Sequence, residues 1–163
     1  MNPERVFVGL GANLGDARQT LQLAAAALEQ LPRTEWIAMS RLHRSAPVDA
    51  NGPDFINAVA ELRTSLEPQA LLLALQEIEV EHGRQRPFRN APRTLDLDLL
   101  LFGQRELHTP GPPELIVPHP RMTERAFVLL PLLDLDPALQ HPRLGPLHHF
   151  LPTVADQAIE ELP

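Results

Sequence analysis

Apolar residues alternate with other residues between positions 5 and 11, which is the period of a strand that is buried on one face. The alternating apolar positions are Val6, Val8 and Leu10. Turn residues follow over 11–15, and apolar residues then recur every three or four positions, which predicts a first helix over 17–31. Asp16 is placed to cap the start of this helix.

The remaining pattern contains three more strands and one more helix. The predicted strands cover 35–44, 54–63 and 95–102. The second helix opens at Pro68 and closes at Gly83. The order of elements predicts an α+β fold with a ferredoxin-like βαββαβ core, in which both helices pack on one face of an antiparallel sheet and a C-terminal extension follows. A chain of 163 residues fits a single domain, 1–163.

Proline is concentrated between Thr109 and Pro120, where five of the 18 prolines lie. Proline fixes its own φ angle and has no N–H to donate to a sheet. We therefore expect an extended connection without regular pairing in this stretch.

Composition and charge narrow the classes of function. The chain has no cysteine, which excludes disulfides and thiolate metal sites and favours a reducing compartment such as the cytoplasm. No apolar run is long enough to span a membrane. A net charge of -7 disfavours broad nucleic-acid binding. We expect small-molecule substrates and a monomer. All 14 basic residues are arginine, which excludes a lysine-dependent phosphate loop and leaves phosphate recognition to arginine.

Two carboxylates stand out in the last predicted strand. The period of two places Asp96 and Asp98 on one face. The opposite face, towards the helices, carries Leu95, Leu97, Leu99 and Leu101. Two carboxylates held close together repel each other, and Mg²⁺ both neutralises them and prefers oxygen ligands. The alternative is that they form an ordinary solvated strand face.

The segment directly before this strand is strongly basic. Residues 84–93 contain no acidic residue and carry Arg84, Arg86, Arg89 and Arg93. A guanidinium group binds two phosphate oxygens at once, in a bidentate contact. The basic segment beside the acidic strand therefore suits a metal–polyphosphate complex. Alternatively, these arginines neutralise neighbouring acids such as Glu79 and Glu81.

Two further segments combine aromatic and polar residues. Phe55 and Asn57 share one face of their predicted strand, where a ring and an amide suit a flat heterocycle, although core packing and a sheet edge explain them equally well. Residues 117–127 hold His119, Arg125 and Phe127 and do not define a site unaided. The glycines of 9–15 lack dinucleotide-binding spacing and are explained by a tight turn. Residues 46–53 are long for a hairpin loop and form a candidate lid.

Taken together, these segments resemble the 6-hydroxymethyl-7,8-dihydropterin pyrophosphokinase family of folate biosynthesis. The resemblance rests on G-L-G-A-N-L-G-D (9–16), P-D-F-I-N-A (53–58), Gly83-Arg84 with Arg86, P-R-T-L-D-L-D (92–98), and V-P-H-P-R-M (117–122) with Arg125 and Phe127. These motifs occur in family order up to about residue 137. The tail after Pro137 matches no motif.

The resemblance implies that ATP donates its β,γ-diphosphate to the hydroxymethyl oxygen of the pterin and leaves as AMP. It implies two Mg²⁺ ions on Asp96 and Asp98, one bridging the α- and β-phosphates and the other the β- and γ-phosphates. Arg84 and Arg93 are then catalytic phosphate clamps. The nucleotide would further contact Gln76, Glu79, Arg86, Arg89, His119 and Arg125. The pterin would be bound by Val48, Phe55, Asn57 and Phe127.

One position departs from the family pattern. Asn90 stands where some members carry an aromatic residue that covers the pterin, so Phe88 takes that role or no residue does.

Two other functions stay open. A different two-metal enzyme, such as a nucleotidyl transferase or a cyclase, would release pyrophosphate instead of AMP. A non-catalytic ligand-sensing or RNA-binding module is the third possibility, and the seven aromatic residues and acidic charge argue against RNA.

Overall fold

A computed structural model describes residues 2–13, 15–46, 53–82 and 95–163. Its strands and α-helices are β1 (Glu4–Ala12), α1 (Ala17–Glu29), β2 (Thr34–Met39), β3 (His43–Ser45), β4 (Phe55–Thr64), α2 (Pro68–His82), β5 (Asp96–Phe102), β6 (Leu107–Thr109), β7 (Leu115–Val117), α3 (Ala126–Leu135), β8 (Gln140–His141), β9 (Gly145–Pro146) and β10 (Ile159–Glu161). Two 3₁₀ helices cover Met122–Glu124 and Leu147–Val154. None of the helices in these ranges is long and apolar enough to cross a membrane.

The main sheet is antiparallel, as predicted. Strand β1 lies between β4 and β5, while β2 and β3 share the other edge of β4, and β10 pairs with β3. The single strand predicted over 35–44 is therefore two strands. They separate at Ser40, whose Oγ accepts the N–H of Val59 (2.9 Å) while its own N–H donates to the Val59 carbonyl (2.8 Å).

The first layer of the core lies between the sheet and the helices α1 and α2. Every second residue of β1 points into it, and α1 and α2 contribute leucines at helical spacing. The predicted cap of α1 is confirmed, because an Asp16 carboxylate oxygen accepts the N–H of Gln19 at 3.1 Å. The hydrophobic periodicity of the sequence therefore placed both helices on the correct face of the sheet.

A second layer covers part of the opposite face. Helix α3 and the 3₁₀ helix Leu147–Val154 pack there against apolar side chains of β1, β4 and β5. The residues after Pro137 are thus part of the fold. Helix α3 was not predicted, because its sequence is apolar around most of its circumference and contains Pro131, so no helical period is visible.

The prediction that Leu101 faces the helices is wrong. The pairing of β1 with β5 shifts between Phe7 and Val8, which are opposite Leu101 and Leu99, so Leu100 is an extra residue in β5. Such a bulge reverses the inward and outward alternation beyond it. Leu101 consequently packs in the second layer, whereas Leu95, Leu97 and Leu99 face the helices as predicted.

The proline-rich segment forms a hairpin, which also corrects the prediction of an unpaired connection. Strands β6 and β7 pair antiparallel, with Leu107 opposite Val117 and Thr109 opposite Leu115. The prolines between Thr109 and Pro120 lie in the turn or after β7, so no paired residue of β6 or β7 is a proline.

The C-terminal strand is held at the sheet edge by ion pairs as well as by pairing. Arg41 donates to both carboxylate oxygens of Glu161 (3.1 and 3.0 Å), and Arg44 pairs with Glu160 at 2.9 Å. His43, Asp134 and Glu161 bring ligand-type atoms within 4.8 Å of one another. The Arg41 guanidinium already supplies the positive charge there, so we interpret the group as a structural ion-pair network.

Candidate active site

The sheet face opposite α1 and α2 carries two rows of paired residues across β4, β1 and β5, each with an aspartate on β5. Gly11 pairs with Asn57 on one side and with Asp96 on the other. Two residues along β1, Gly9 pairs in the same way with Val59 and Asp98. Directly paired residues point to the same face, so both aspartates and Asn57 project from one surface.

A cleft of about 220 Å³ lies over these rows. It is lined by Gly9, Leu10, Gly11, Ser45, Ala46, Phe55, Asn57, Ala58, Asp96, Asp98, Arg125, Phe127 and Val128. The two aspartates are partly exposed in this cleft, in agreement with the same-face prediction. Their role as metal ligands stays a prediction.

Gly11, at the centre of the row Asn57–Gly11–Asp96, keeps the floor of the cleft open. A Cβ at Gly11 would lie 3.2 Å from Oδ1 of Asn57 and 3.9 Å from Cδ1 of Phe55. Gly11 belongs to β1, so the tight-turn interpretation of this position is wrong. The available signal was the alternation of Gly9 and Gly11 with Val8 and Leu10, which leaves one face of the strand without side chains.

Asn57 is buried and held by a neighbouring strand. Its Nδ2 donates to Oγ of Ser45 at 2.6 Å. Burial of an amide is favourable only when its polar atoms are bonded, so this contact fixes the orientation of the amide plane. Ser45 carried no recognisable signal in the sequence, because β3 is only three residues long.

Two aromatic rings enter the cleft from different layers. Phe55 comes from the start of β4, and Phe127 comes from the first turn of α3. The Arg125 guanidinium carbon lies 5.5 Å from the centre of the Phe127 ring, a cation–π contact. The fold thus brings Phe55 together with Arg125 and Phe127, which follow it by 70 and 72 positions in the sequence.

His119 lies beside Arg125, and its pKa is lowered from the ordinary histidine value, which favours the neutral ring. Burial lowers its pKa, and although Asp98 acts in the opposite direction, Arg125 and Arg121 lower it further. Its Nδ1 accepts the N–H of Arg121 at 3.1 Å, which leaves Nε2 as the ring N–H donor. Its backbone N–H donates to the carbonyl of Leu100 at 2.9 Å, which attaches this segment to β5.

Glu79 and Gln76 occupy different positions on α2. The Glu79 carboxylate is buried and accepts the N–H of Leu97, between the two aspartates, at 2.8 Å. It therefore braces the strand that carries them. Gln76 lines a separate shallow groove on α2 with Leu73 and Glu77, which shares no lining residue with the cleft. Its contact with the nucleotide stays a prediction.

Several predicted site residues fall outside the described ranges. These are Val48, Arg84, Arg86, Arg89 and Arg93, together with Phe88 and Asn90. Their roles stay predictions, as does most of the candidate lid 46–53.

The fold and cleft define a class: an antiparallel α+β protein with a small-molecule cleft on the sheet face away from its two long helices. A family model described as 7,8-dihydro-6-hydroxymethylpterin-pyrophosphokinase (HPPK) matches residues 7–137. The chain belongs to this family, whose name and relatives indicate pyrophosphokinase activity in folate biosynthesis.

Relatives share much of the sequence. The chain is 48% identical to the 2-amino-4-hydroxy-6-hydroxymethyldihydropteridine pyrophosphokinase of Pseudomonas aeruginosa, over 98% of each chain. It is 42% identical to the enzyme of that name from Bacillus subtilis, over 79% of this chain and 76% of the other.

Solved structures share the fold at low identity. A crystal structure of an HPPK-DHPS with substrates superposes with a TM-score of 0.73 at 12% identity and covers 94% of this chain. The triple-mutant HPPK-DHPS of Plasmodium falciparum gives a TM-score of 0.70 at 15% identity over 91% of this chain. The chain spans 43% and 44% of those longer chains, and the similarity supports the fold alone.

Proposed function

We propose that this protein transfers diphosphate from ATP to the hydroxymethyl group of 6-hydroxymethyl-7,8-dihydropterin and releases AMP. The observation that carries the proposal is the shared cleft. One surface presents a carboxylate pair, a fixed amide and two aromatic rings. A polyphosphate with its metal and a flat heterocycle would therefore bind side by side.

The pterin is assigned to the half of the cleft formed by Phe55, Asn57 and Phe127. Rings on β4 and α3 offer apolar surfaces to a planar bicyclic ligand. The Ser45 contact leaves the Asn57 amide fixed, so its remaining hydrogen-bonding capacity selects one edge pattern of the heterocycle. Val48 is proposed to complete this pocket.

The phosphates are assigned to the half that contains Asp96 and Asp98. Partly exposed carboxylates on a rigid strand fit Mg²⁺, which takes one or two carboxylates together with substrate phosphates. Two bound Mg²⁺ ions would supply charge neutralisation for the triphosphate. Glu79 accepts the N–H of Leu97, between the two aspartates. This hydrogen bond would limit the movement of β5 when metal ions and phosphates bind.

Neutral and cationic donors surround the same region. His119 presents an N–H without adding a full charge, and Arg125 adds one at the cleft wall. Arg84 and Arg93, assisted by Arg86 and Arg89, are proposed to clamp the transferred phosphates, and Gln76 to contact the nucleotide. Phosphoryl-type transfer depends mainly on positioning and electrostatic stabilisation, which these residues would provide.

The reaction products test this proposal. The protein is incubated with ATP, Mg²⁺ and 6-hydroxymethyl-7,8-dihydropterin, and nucleotides are separated by ion-exchange chromatography. We expect AMP in equal amount to the diphosphorylated pterin, with no AMP when the pterin or Mg²⁺ is omitted. Release of ADP or pyrophosphate, or no turnover, would show that the assignment is wrong.

The finer features of fold and assembly belong to the same proposal. We infer a ferredoxin-like βαββαβ core in one domain over 1–163, supported by the strand order β5, β1, β4 and then β2 with β3. We also propose that the protein acts as a monomer and that it is cytoplasmic; the lack of cysteine supports the cytoplasmic location.

A further inference from the structure

The start of α3 has an unusual cap. Arg125 is the N-cap residue, with an extended backbone (φ -123, ψ 116), and its own side chain makes no capping hydrogen bond. The first N–H groups of a helix have no partner within the helix. Here the N–H of Ala126 donates instead to Oε1 of Gln157, at 2.8 Å and 31 residues away in sequence.

Gln157 also binds the other side of Arg125. Its Nε2 donates to the carbonyl of Glu124 at 2.8 Å. In an extended residue, the carbonyl before it and the N–H after it point the same way, as they do towards a neighbouring strand. The side-chain amide of Gln157 therefore bonds to both peptide groups that flank Arg125. These two hydrogen bonds fix the backbone from which the Arg125 side chain projects.

The residues next to these hydrogen bonds of Gln157 line the cleft. Arg125 and Phe127 both line it and contact each other at 5.5 Å. The segment after Gln157 also reaches the opposite wall, since the Ala158 carbonyl accepts the N–H of Ala46 at 3.4 Å and Ile159 pairs with Ser45. One C-terminal segment thus holds the two walls in register.

We propose that Gln157 is a positioning residue of the active site, which sets the placement of Arg125 and Phe127 through its hydrogen bonds to the backbone. This inference rests on the proposed function for its kinetic consequence. It assigns the C-terminal extension a part in binding, although the family model ends at residue 137.

The test compares Gln157→Ala with Gln104→Ala. Gln104 is another exposed glutamine whose amide donates to backbone carbonyls, those of Gly103 and Gln140 at 3.4 Å, and it does not line the cleft. Loss of one or two net hydrogen bonds corresponds to about a three- to thirtyfold change. We expect kcat/KM to fall by about that factor in Gln157→Ala, mainly through KM, and to stay near wild type in Gln104→Ala.

A double-mutant cycle separates positioning from general destabilisation. If Gln157 acts through the placement of Arg125, then Gln157→Ala lowers kcat/KM less in an Arg125→Ala background than in the wild type, and the remaining loss reflects Phe127. Gln157→Glu keeps the acceptor but loses the donor at neutral pH, so its kcat/KM falls at least as far as that of Gln157→Ala. An equal loss in both backgrounds, or a loss no greater than that of the control, overturns the proposal.

An exchange measurement keeps the result independent of turnover. We expect the amide hydrogen of Ala126 to exchange with solvent several-fold faster in Gln157→Ala, with an unchanged rate in Gln104→Ala, as followed by NMR. Equal exchange in wild type and Gln157→Ala overturns the positioning role even if the wild-type protein makes no AMP. Absence of AMP from the wild type contradicts only the proposed function.

Discussion

Alternate residues of the same strands build the two faces of the sheet, and the faces differ in what they contain. Under α1 and α2 the face is a continuous apolar core. The opposite face is apolar beneath α3 but polar where Asp96, Asp98 and Asn57 line the cleft. In β5, successive residues point to the apolar face and to the polar face in turn. Substitutions at neighbouring positions therefore test the free energy of unfolding and the catalytic activity separately.

The largest expected effect is on the polar face. Asp96→Ala or Asp98→Ala should lower kcat by two orders of magnitude or more, because about 10²- to 10³-fold is typical when one electrostatic contact to the transition state is lost. Glu114→Ala, on the exposed β6–β7 hairpin, is the matched control. Steady-state AMP production measures the effect. An aspartate variant with near-native kcat would contradict the metal assignment.

Leu97 lies between these aspartates and points into the opposite layer. Leu97→Ala should lower the free energy of unfolding by about 2–5 kcal/mol, the usual cost of a buried leucine. Urea unfolding followed by circular dichroism measures it, with the exposed Leu73→Ala as a control expected within about 0.5 kcal/mol of wild type. A cost for Leu97→Ala equal to that of the control would show that the helix face does not dominate stability.

Gly11 and Gly9 sharpen the comparison within the polar face. A Cβ at Gly11 meets Oδ1 of Asn57 at 3.2 Å, whereas one at Gly9 meets Leu100 at an ordinary 3.5 Å. Gly11→Ala should displace Asn57 and raise KM for the pterin by about three- to tenfold, the worth of about one hydrogen bond. Gly9→Ala should leave that KM closer to wild type. Equal pterin KM values for the two variants would remove Asn57 from the proposed pocket.

The sequence was enough to predict the features that depend on the spacing of apolar residues within one strand or helix. Alternation was enough to place Asp96 and Asp98 on one face, and helical spacing was enough to place α1 and α2. Leu101 was misplaced because the bulge at Leu100 depends on pairing with β1, which no pattern within β5 reveals. The hairpin of β6 and β7 was missed because proline content masks strands that contain no proline.

Long-range contacts account for most of what the sequence left out. Ser45 in β3 accepts a hydrogen bond from Asn57 in the neighbouring strand β4, and Gln157 caps a helix that begins 31 residues earlier. Neither residue type signals such a role by itself. Resemblance to the family identified Phe127 and Arg125, whose positions depend on α3, a helix without visible periodicity.

Two histidines give the smallest and most selective prediction. His119 at the cleft and His141 in the β8–β9 hairpin each accept backbone N–H groups at Nδ1, those of Arg121 and of Arg143 and Leu144, at 3.1 Å. Burial lowers the pKa of His141; Arg143 lowers it further, while Glu106 acts in the opposite direction. The unfolded chain therefore takes up a proton near its ordinary pKa of about 6.5 while the folded protein does not.

Stability linked to His141 is thus present above that pKa and is lost as pH falls through it towards the lower folded value. His141→Asn should flatten the pH dependence of the free energy of unfolding, by no more than about 1.4 kcal/mol per pH unit, with kcat/KM unchanged. Urea unfolding from about pH 7.5 to 5.5 measures the slope around the histidine pKa, and the exposed His149→Asn is the control. His119 contributes with the same sign, so part of the slope should persist in His141→Asn. A slope identical to wild type would mean that His141 takes up its proton equally well in the folded and unfolded chain.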